Sequence, residues 1–173
     1  MPITIAAAHF SDIDAIAAIH VRSWQEAYAG LMPAEYLANL SLENRIQQWN
    51  QTLSEGKSTV LLAKLAGETV AWICFGPTRD SDAPANCAEI YAIYSLAAHH
   101  GNGLGRALWL ACKAQLQAQA YTRVTLWVIA DNARARRFYA AAGFSLEENS
   151  NTEFSLAGAR LWEVRYGLDL SLR

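Results

Sequence analysis

The sequence predicts an α/β fold built on a mixed, mostly antiparallel sheet with one parallel strand pair. Three observations carry this. Residues 88–130 read as strand, glycine-rich turn, helix, strand, and such a crossover joins parallel neighbours. Residues 58–76 read as two strands about a tight turn, which pair antiparallel. Residues 11–55 carry helical periodicity, whereas the apolar stretches after residue 143 read as strands.

Taken in order, "TIAA" at 4–7 reads as a short first strand. Ser11 is expected to cap a helix that puts Ile13, Ile16, Ala17, His20, Trp24, Ala27 and Tyr28 on one stripe. Gly30 and Pro33 stop that helix. "AEYLANL" and "LENRIQQWNQTL" continue as helix, separated near Ser41 and ended by Gly56. "STVLLAKLA" and "TVAWICFG" form a hairpin about Gly67-Glu68. "AEIYAIYSL" is the next strand, followed by a helix with Leu104, Leu108, Cys112 and Leu116 on one face. "RVTLWVIA" is nearly all apolar, as expected of a strand buried on both faces. Asp131 or Asn132 caps the helix that carries Ala135, Phe138, Tyr139 and Ala142 and that Gly143 ends. "GFSLEEN" and "LWEVRYGLDLSL" supply two last strands with a polar loop between them. No repeat or linker divides residues 1–173, so a single domain is expected.

Composition narrows the function classes. The 173 residues are 53% hydrophobic and 17% charged, a globular composition. A formal net charge of -2 offers no basic footprint for nucleic acid or an anionic membrane. No apolar run approaches the roughly 20 residues of a membrane span. "MPITIAAAHFSD" has no basic segment ahead of its apolar residues, so no secretory signal is expected. Three cysteines without close spacing suit reduced thiols in a cytoplasmic protein and argue against a disulfide framework. Of the histidines only His99 and His100 adjoin, with no acid or cysteine at ligand spacing, so no metal is expected.

The stretch "HHGNGLGRALWLACKAQL" carries the chemistry. Glycine ahead of a helix is entropically costly, so Gly101, Gly103 and Gly105 need a reason. A tight turn is one; a cradle of backbone N–H groups for a phosphate is the other. No Lys-Ser or Lys-Thr pair closes the loop, and its spacing is not Gly-x-Gly-x-x-Gly. The strand order also departs from that of a dinucleotide fold.

"IYSLAAHHGNGLGRAL" resembles motif A of the GNAT superfamily of N-acetyltransferases, Gln/Arg-x-x-Gly-x-Gly/Ala, with His100 at the first position in place of glutamine or arginine. "DNARARRFYAAAGF" is similar to motif B of the same family and keeps Asn132, Ala135, Phe138, Tyr139, Gly143 and Phe144. The resemblance implies the GNAT fold, with a central parallel strand pair and helices on both faces. It also implies acetyl-CoA as cofactor and transfer of its acetyl group to an amine.

By the same resemblance, the amides of residues 101–106 (Gly101, Asn102, Gly103, Leu104, Gly105 and Arg106), with His100 beside them, would hold the pyrophosphate. Tyr94, Ser95 and Leu96 would pair with the pantetheine arm, with an N–H near Leu96 as oxyanion donor. Asn132 would bond the same arm or simply cap its helix. Tyr139 would protonate the departing thiolate. Glu89 is the candidate base, with His20 or a water chain as rivals. Among Arg106, Arg134, Arg136 and Arg137, Arg106 adjoins the loop and is favoured for a phosphate contact. Trp24 and Tyr28 line the acceptor pocket or lie in the core.

"SWQEAYAGLMPAEYLANLS" loosely resembles a bacterial branch of the family that includes polyamine acetyltransferases. The reading is therefore an N-acetyltransferase acting on a primary amine of a small molecule, with a polyamine among the candidates. The alternative is a non-catalytic acyl-CoA-binding sensor or protein-binding module. A homodimer interface and an ordinary strand are both open for "EVRYGLDLSL".

Overall fold

The computed structural model describes residues 2–171. Strand β1 (Ile3–Ala7) leads through a single 3-10 turn at Phe10–Asp12 into helix α1 (Ile13–Ala27). Asp12, not Ser11, occupies the N-cap position. Its carboxylate accepts from the His9 N–H at 2.9 Å and pairs with Lys64, so it closes the 3-10 turn and anchors it to a strand rather than capping α1 through its side chain. Helices α2 (Ala34–Ala38) and α3 (Leu42–Glu55) follow. Ser41 caps α3 by accepting from the Asn44 N–H, and Gly56 ends it in the left-handed region.

Strands β2 (Thr59–Leu65) and β3 (Glu68–Pro77) form the expected hairpin. Its turn is Ala66-Gly67, both at positive φ, one residue earlier than the sequence reading placed it. Strand β4 (Cys87–Ser95), helix α4 (Leu104–Ala118) and strand β5 (Arg123–Ile129) make the crossover, and helix α5 (Ala133–Ala141) follows. The chain closes with three strands rather than two: β6 (Ser145–Leu146), β7 (Thr152–Leu156) and β8 (Ala159–Asp169). The stretch read as a polar loop contains β7, which pairs with β8 through an Ala157-Gly158 turn at positive φ.

The sheet order is β1-β2-β3-β4-β5-β8-β6, with β7 beside β6 on the outer edge of β8. Every pairing is antiparallel except β4 with β5. The "EVRYGLDLSL" segment thus begins in β8, a strand paired on both sides.

Side chains alternate between the two sheet faces. Val60, Leu62, Trp72 and Cys74 meet Ile16 and Ala17 of α1 and Trp49 of α3. Leu61, Ala63, Ile73 and Phe75 meet Leu104, Leu108, Cys112 and Leu116 of α4 on the other face. Helices therefore cover both faces. The α1 stripe and the α4 stripe are what the sequence periodicity demands, and each buries its apolar side against one layer of the sheet.

One irregularity positions the site. Cys74 pairs with Ala92 and Phe75 with Ile90, so Tyr91 is an extra residue in β4. The parallel ladder of β4 with β5 covers only four pairs, from Cys87–Arg123 to Ile90–Leu126. Both strands run on past that point, β4 to Ser95 and β5 to Ile129, without pairing with each other. The sheet splits there.

Candidate active site

A cleft of about 750 Å³ opens along this split. Tyr91 to Ser95 of β4 line one side and Trp127 to Ile129 of β5 the other. The free edge of β4 has a defined polarity. Leu96 donates its N–H to the Val70 carbonyl at 3.1 Å. Alternation along an antiparallel pair then turns the Tyr94 N–H toward β3 and those of Ile93 and Ser95 toward the cleft. An extended chain laid in the gap meets the Ser95 and Ile93 amides, so of the residues near Leu96 it is Ser95, and not Leu96 itself, whose N–H faces the cleft.

At one end the cleft meets the glycine turn. Gly101 and Gly103 both have φ of 81°, a conformation an L side chain adopts at a cost. Gly103 is the N-cap of the 15-residue helix α4, with no side-chain cap and no acid in the first turn. The leading amides of α4 are left to an outside acceptor, where the helix dipole favours an anion. Gly105 serves a different purpose. A Cβ there would stand 2.9 Å from Phe138 Cε2, so this glycine permits close packing of α4 on α5.

His100 faces the carbonyl of Ser95, its Nε2 at 3.1 Å, and ties the turn to the end of β4. Burial and nearby Arg134 lower its pKa. Arg134 and Arg106 are both exposed, but only Arg134 lines the cleft. Asn102 also lies off the wall. Arg136 is committed elsewhere, to the Tyr166 hydroxyl at 3.0 Å and the Ala130 carbonyl at 2.9 Å. Of the four arginines singled out in the sequence, Arg134 is the one that lines the cleft.

The middle of the cleft carries Asn132 and Tyr139. Asn132 Oδ1 accepts from the Ala135 N–H at 3.1 Å, so the oxygen caps α5, and the amide nitrogen is left for the cleft. Tyr139 is buried but lines the cleft, and burial drives its phenol pKa well above the usual tyrosine value. Across the cleft the Tyr28 and Tyr94 hydroxyls share a hydrogen bond of 2.9 Å. Trp24 packs edge-on to Tyr28, and its indole N–H is buried without a hydrogen-bond partner among the described residues. Both Trp24 and Tyr28 line the cleft while also packing on Met32, Leu37 and Ile129.

The two candidate bases fare differently from expectation. Glu89 is 1% exposed, off the cleft wall, and held by the Arg79 backbone N–H at 2.9 Å and by its guanidinium. A carboxylate so committed anchors the segment after β3, and the geometry gives it no access to an acceptor. His20 accepts from Trp49 Nε1 at 3.2 Å, inside a box of Trp24, Trp49, Trp72 and Tyr94 rings. Burial lowers its pKa to about 3, and it too is off the cleft wall.

The sequence reading did not single out Glu163 of β8, a half-buried carboxylate on the cleft wall. Its sequence signal was faint, because which face of β8 carries it depends on a register that only the sheet defines.

The donor set suits a CoA thioester: a split sheet with free strand amides, an uncapped helix start behind two glycines at positive φ, and a cationic side chain beside it. Comparisons with known proteins agree. The acetyltransferase (GNAT) family profile matches residues 14–144. An uncharacterised N-acetyltransferase of Bacillus subtilis, YuaI, is 32% identical over 165 residues, covering 95% of this chain and 92% of its own. A probable N-acetyltransferase of Mycobacterium tuberculosis, Rv2775, is 25% identical over 169 residues, covering 96% and 93%. Among solved structures, the PaiA N-acetyltransferase of Thermoplasma acidophilum in complex with coenzyme A shares the fold, with a TM-score of 0.76 at 19% identity over 98% of this chain and 99% of that one. So does YncA of Salmonella typhimurium with its cofactor acetyl-CoA, with a TM-score of 0.74 at 22% identity over 99% and 95%. The chain belongs to the GNAT family of acetyl-CoA-dependent N-acetyltransferases.

Proposed function

We propose that the protein acetylates a primary amine of a small molecule. The observation that carries this reading is the cleft itself, continuous from the glycine turn, past Ser95 and Tyr139, to a pocket between α1 and β7. Side chains of α1 and β7 line that end, which suits a compact acceptor better than a protein surface.

The residues divide the work as follows. The leading amides of α4 and Arg134 hold the pyrophosphate. The Ile93 and Ser95 edges of β4 and the Asn132 amide hold the arm. Acetyl-CoA held there would supply a thioester, the acyl donor for the amine nitrogen, with the CoA thiol as leaving group. The Ser95 N–H, which faces the cleft, would donate to the developing oxyanion. Tyr139 holds a proton for the departing sulfur. Its raised pKa keeps the phenol protonated through the neutral range, which is what an acid in this position requires.

The test is thiol release from acetyl-CoA with a panel of primary amines. Turnover of at least one small amine is expected. Tight acetyl-CoA binding with no transfer to any amine would replace this reading with a non-catalytic acyl-CoA sensor.

A further inference from the structure

We infer that Glu163 is the carboxylate that receives the acceptor's ammonium group and removes its proton, in a pocket whose walls suit a primary amine on an apolar body. The inference rests on the acetyl-transfer reading above.

Position comes first. Glu163 pairs in register with Ile129, the last residue of β5, three residues past Leu126 where the ladder to β4 stops. It therefore stands at the split. Arg165 and Glu163 alternate onto one face of β8, and that face carries a charged cluster. Asp80 accepts from Trp127 Nε1 at 3.0 Å and pairs with Arg165. Asp82 pairs with Arg165, Glu147 with Arg123 and Arg165, and Glu89 with Arg79. Of these five carboxylates only Glu163 lacks a hydrogen-bond or ion-pair partner among the described residues, and only Glu163 lines the cleft. A half-buried, unpaired carboxylate costs stability, so its place on the wall calls for a cation from outside.

Burial raises the Glu163 pKa above 4.5, Asp80 and Glu89 add to the rise, and Arg79 opposes it. Arg165, two residues along, is taken up by Asp80, Asp82 and Glu147. A carboxylate shifted this way stays closer to the working range of a base.

The surroundings define the acceptor's other features. Trp24, Tyr28, Met32, Phe154 and Leu156 line the same end of the cleft. Its histidines and Arg134 are at the glycine turn, so among the described residues no cleft-lining cation stands beside Glu163 for a free carboxylate on the acceptor. The other cleft-lining carboxylate, Glu26, holds the Ala97 N–H at 3.1 Å and Arg22. A second ammonium, as in a diamine, has no further unpaired carboxylate to meet. Relative to the amide product, the ammonium carries two surplus protons. Glu163 takes one and passes it to water; the other ends on the leaving sulfur, with Tyr139 as donor, its phenol being restored by the proton of the new amide nitrogen.

The test uses phenethylamine, with putrescine and phenylalanine for comparison, on the wild type, Glu163→Gln and Glu163→Asp. For Glu163→Gln, kcat/KM for phenethylamine should fall about 100-fold. The acid limb of its pH profile should flatten, the acetyl-CoA melting shift should remain, and Glu163→Asp should recover part of the rate. Calorimetry without acetyl-CoA gives an independent reading. Phenethylamine affinity should weaken as pH falls through the raised pKa of Glu163 in the wild type and lose that dependence in Glu163→Gln. Unchanged kcat/KM and an unchanged pH profile in Glu163→Gln would overturn the base role, and a preference for putrescine or phenylalanine would overturn the apolar acceptor. If the wild type bound phenethylamine in this Glu163-dependent way yet acetylated no amine, the acetyl-transfer reading would fail while the amine site stood. Absence of amine binding would overturn the inference.

Discussion

Tyr139 and His20 show how burial acts oppositely on an acid and a base. Removing the phenol from water disfavours its anion, and removing the imidazole from water disfavours its cation. Tyr139→Phe keeps the ring packing against Phe138, Phe144 and Tyr166 but removes the proton donor. Turnover should fall about 100-fold with acetyl-CoA affinity unchanged; steady-state kinetics alongside binding calorimetry checks this. For His20 the unfolded chain titrates near 6.5 while the folded protein resists protonation down to about 3. The unfolded state therefore binds more protons between those values, and this residue's contribution to stability declines as pH falls from 6.5 toward 3. Replacing it with a group that cannot titrate, His20→Gln, should flatten that part of the stability profile in denaturant titrations. Arg79 and Glu89 offer a third case. Glu89 is enclosed whereas Arg79 reaches solvent, so Arg79→Ala strands a buried charge and should cost about 3 kcal/mol. Glu89→Gln should cost less, because the freed guanidinium is hydrated; melting curves of the two variants decide the order.

At the level of elements, the glycines before α4 divide into conformational and packing roles, and the division is testable. Gly101→Ala meets no atom within 4 Å but must hold a φ of 81°, at a cost of about 1 kcal/mol. Gly105→Ala must push Phe138 aside, at a cost of about 1–3 kcal/mol. Gly101→Ala should therefore weaken acetyl-CoA binding more than it lowers the melting temperature, and Gly105→Ala the reverse. The two helices that flank the split were legible because their signals are local: a glycine turn feeding the apolar stripe of α4, and Asn132 through Gly143 bounding α5. The hairpin of β7 was not legible, since "TEFSL" is short and half polar and becomes a strand only against β8. Asp12 stands at the N-cap position in place of Ser11, with its carboxylate taken up by the His9 N–H and by Lys64, fifty-two residues away. Glu89 and Glu163 exchanged prospects for the same reason. Sequence spacing places a carboxylate near a strand end, but Glu89 lies within the paired part of β4 and is taken up by Arg79, whereas the β5–β8 register sets Glu163 opposite Ile129, past the last β4–β5 pair.

For the whole molecule, the split makes stability depend on what fills it. Two blocks of sheet, β1 to β4 and β5 to β8, are joined across the middle by only four strand pairs. The rest of that seam is held by side chains of α4 and α5 and by the Arg165 cluster, which ties the segment after β3 to β8. A ligand that satisfies the amides of β4 and the start of α4 binds the folded chain alone and must stabilise it by linkage. At a hundredfold excess over its dissociation constant, acetyl-CoA should add about 2.7 kcal/mol. For a chain of this size that amounts to roughly 5–10 °C in melting temperature. Desulfo-CoA should give a similar shift, since the cradle and the strand edge read the pyrophosphate and the arm, whereas NAD should give little because it lacks the arm. The gain should also be localised. Hydrogen exchange should slow at Ile93 and Ser95 and through the first turn of α4, while Val60 to Ala63 at the far side of the sheet keep their rates. A melting shift without protection at Ile93 and Ser95 would mean that the ligand sits on the glycine turn alone, and that the split is not where the arm lies.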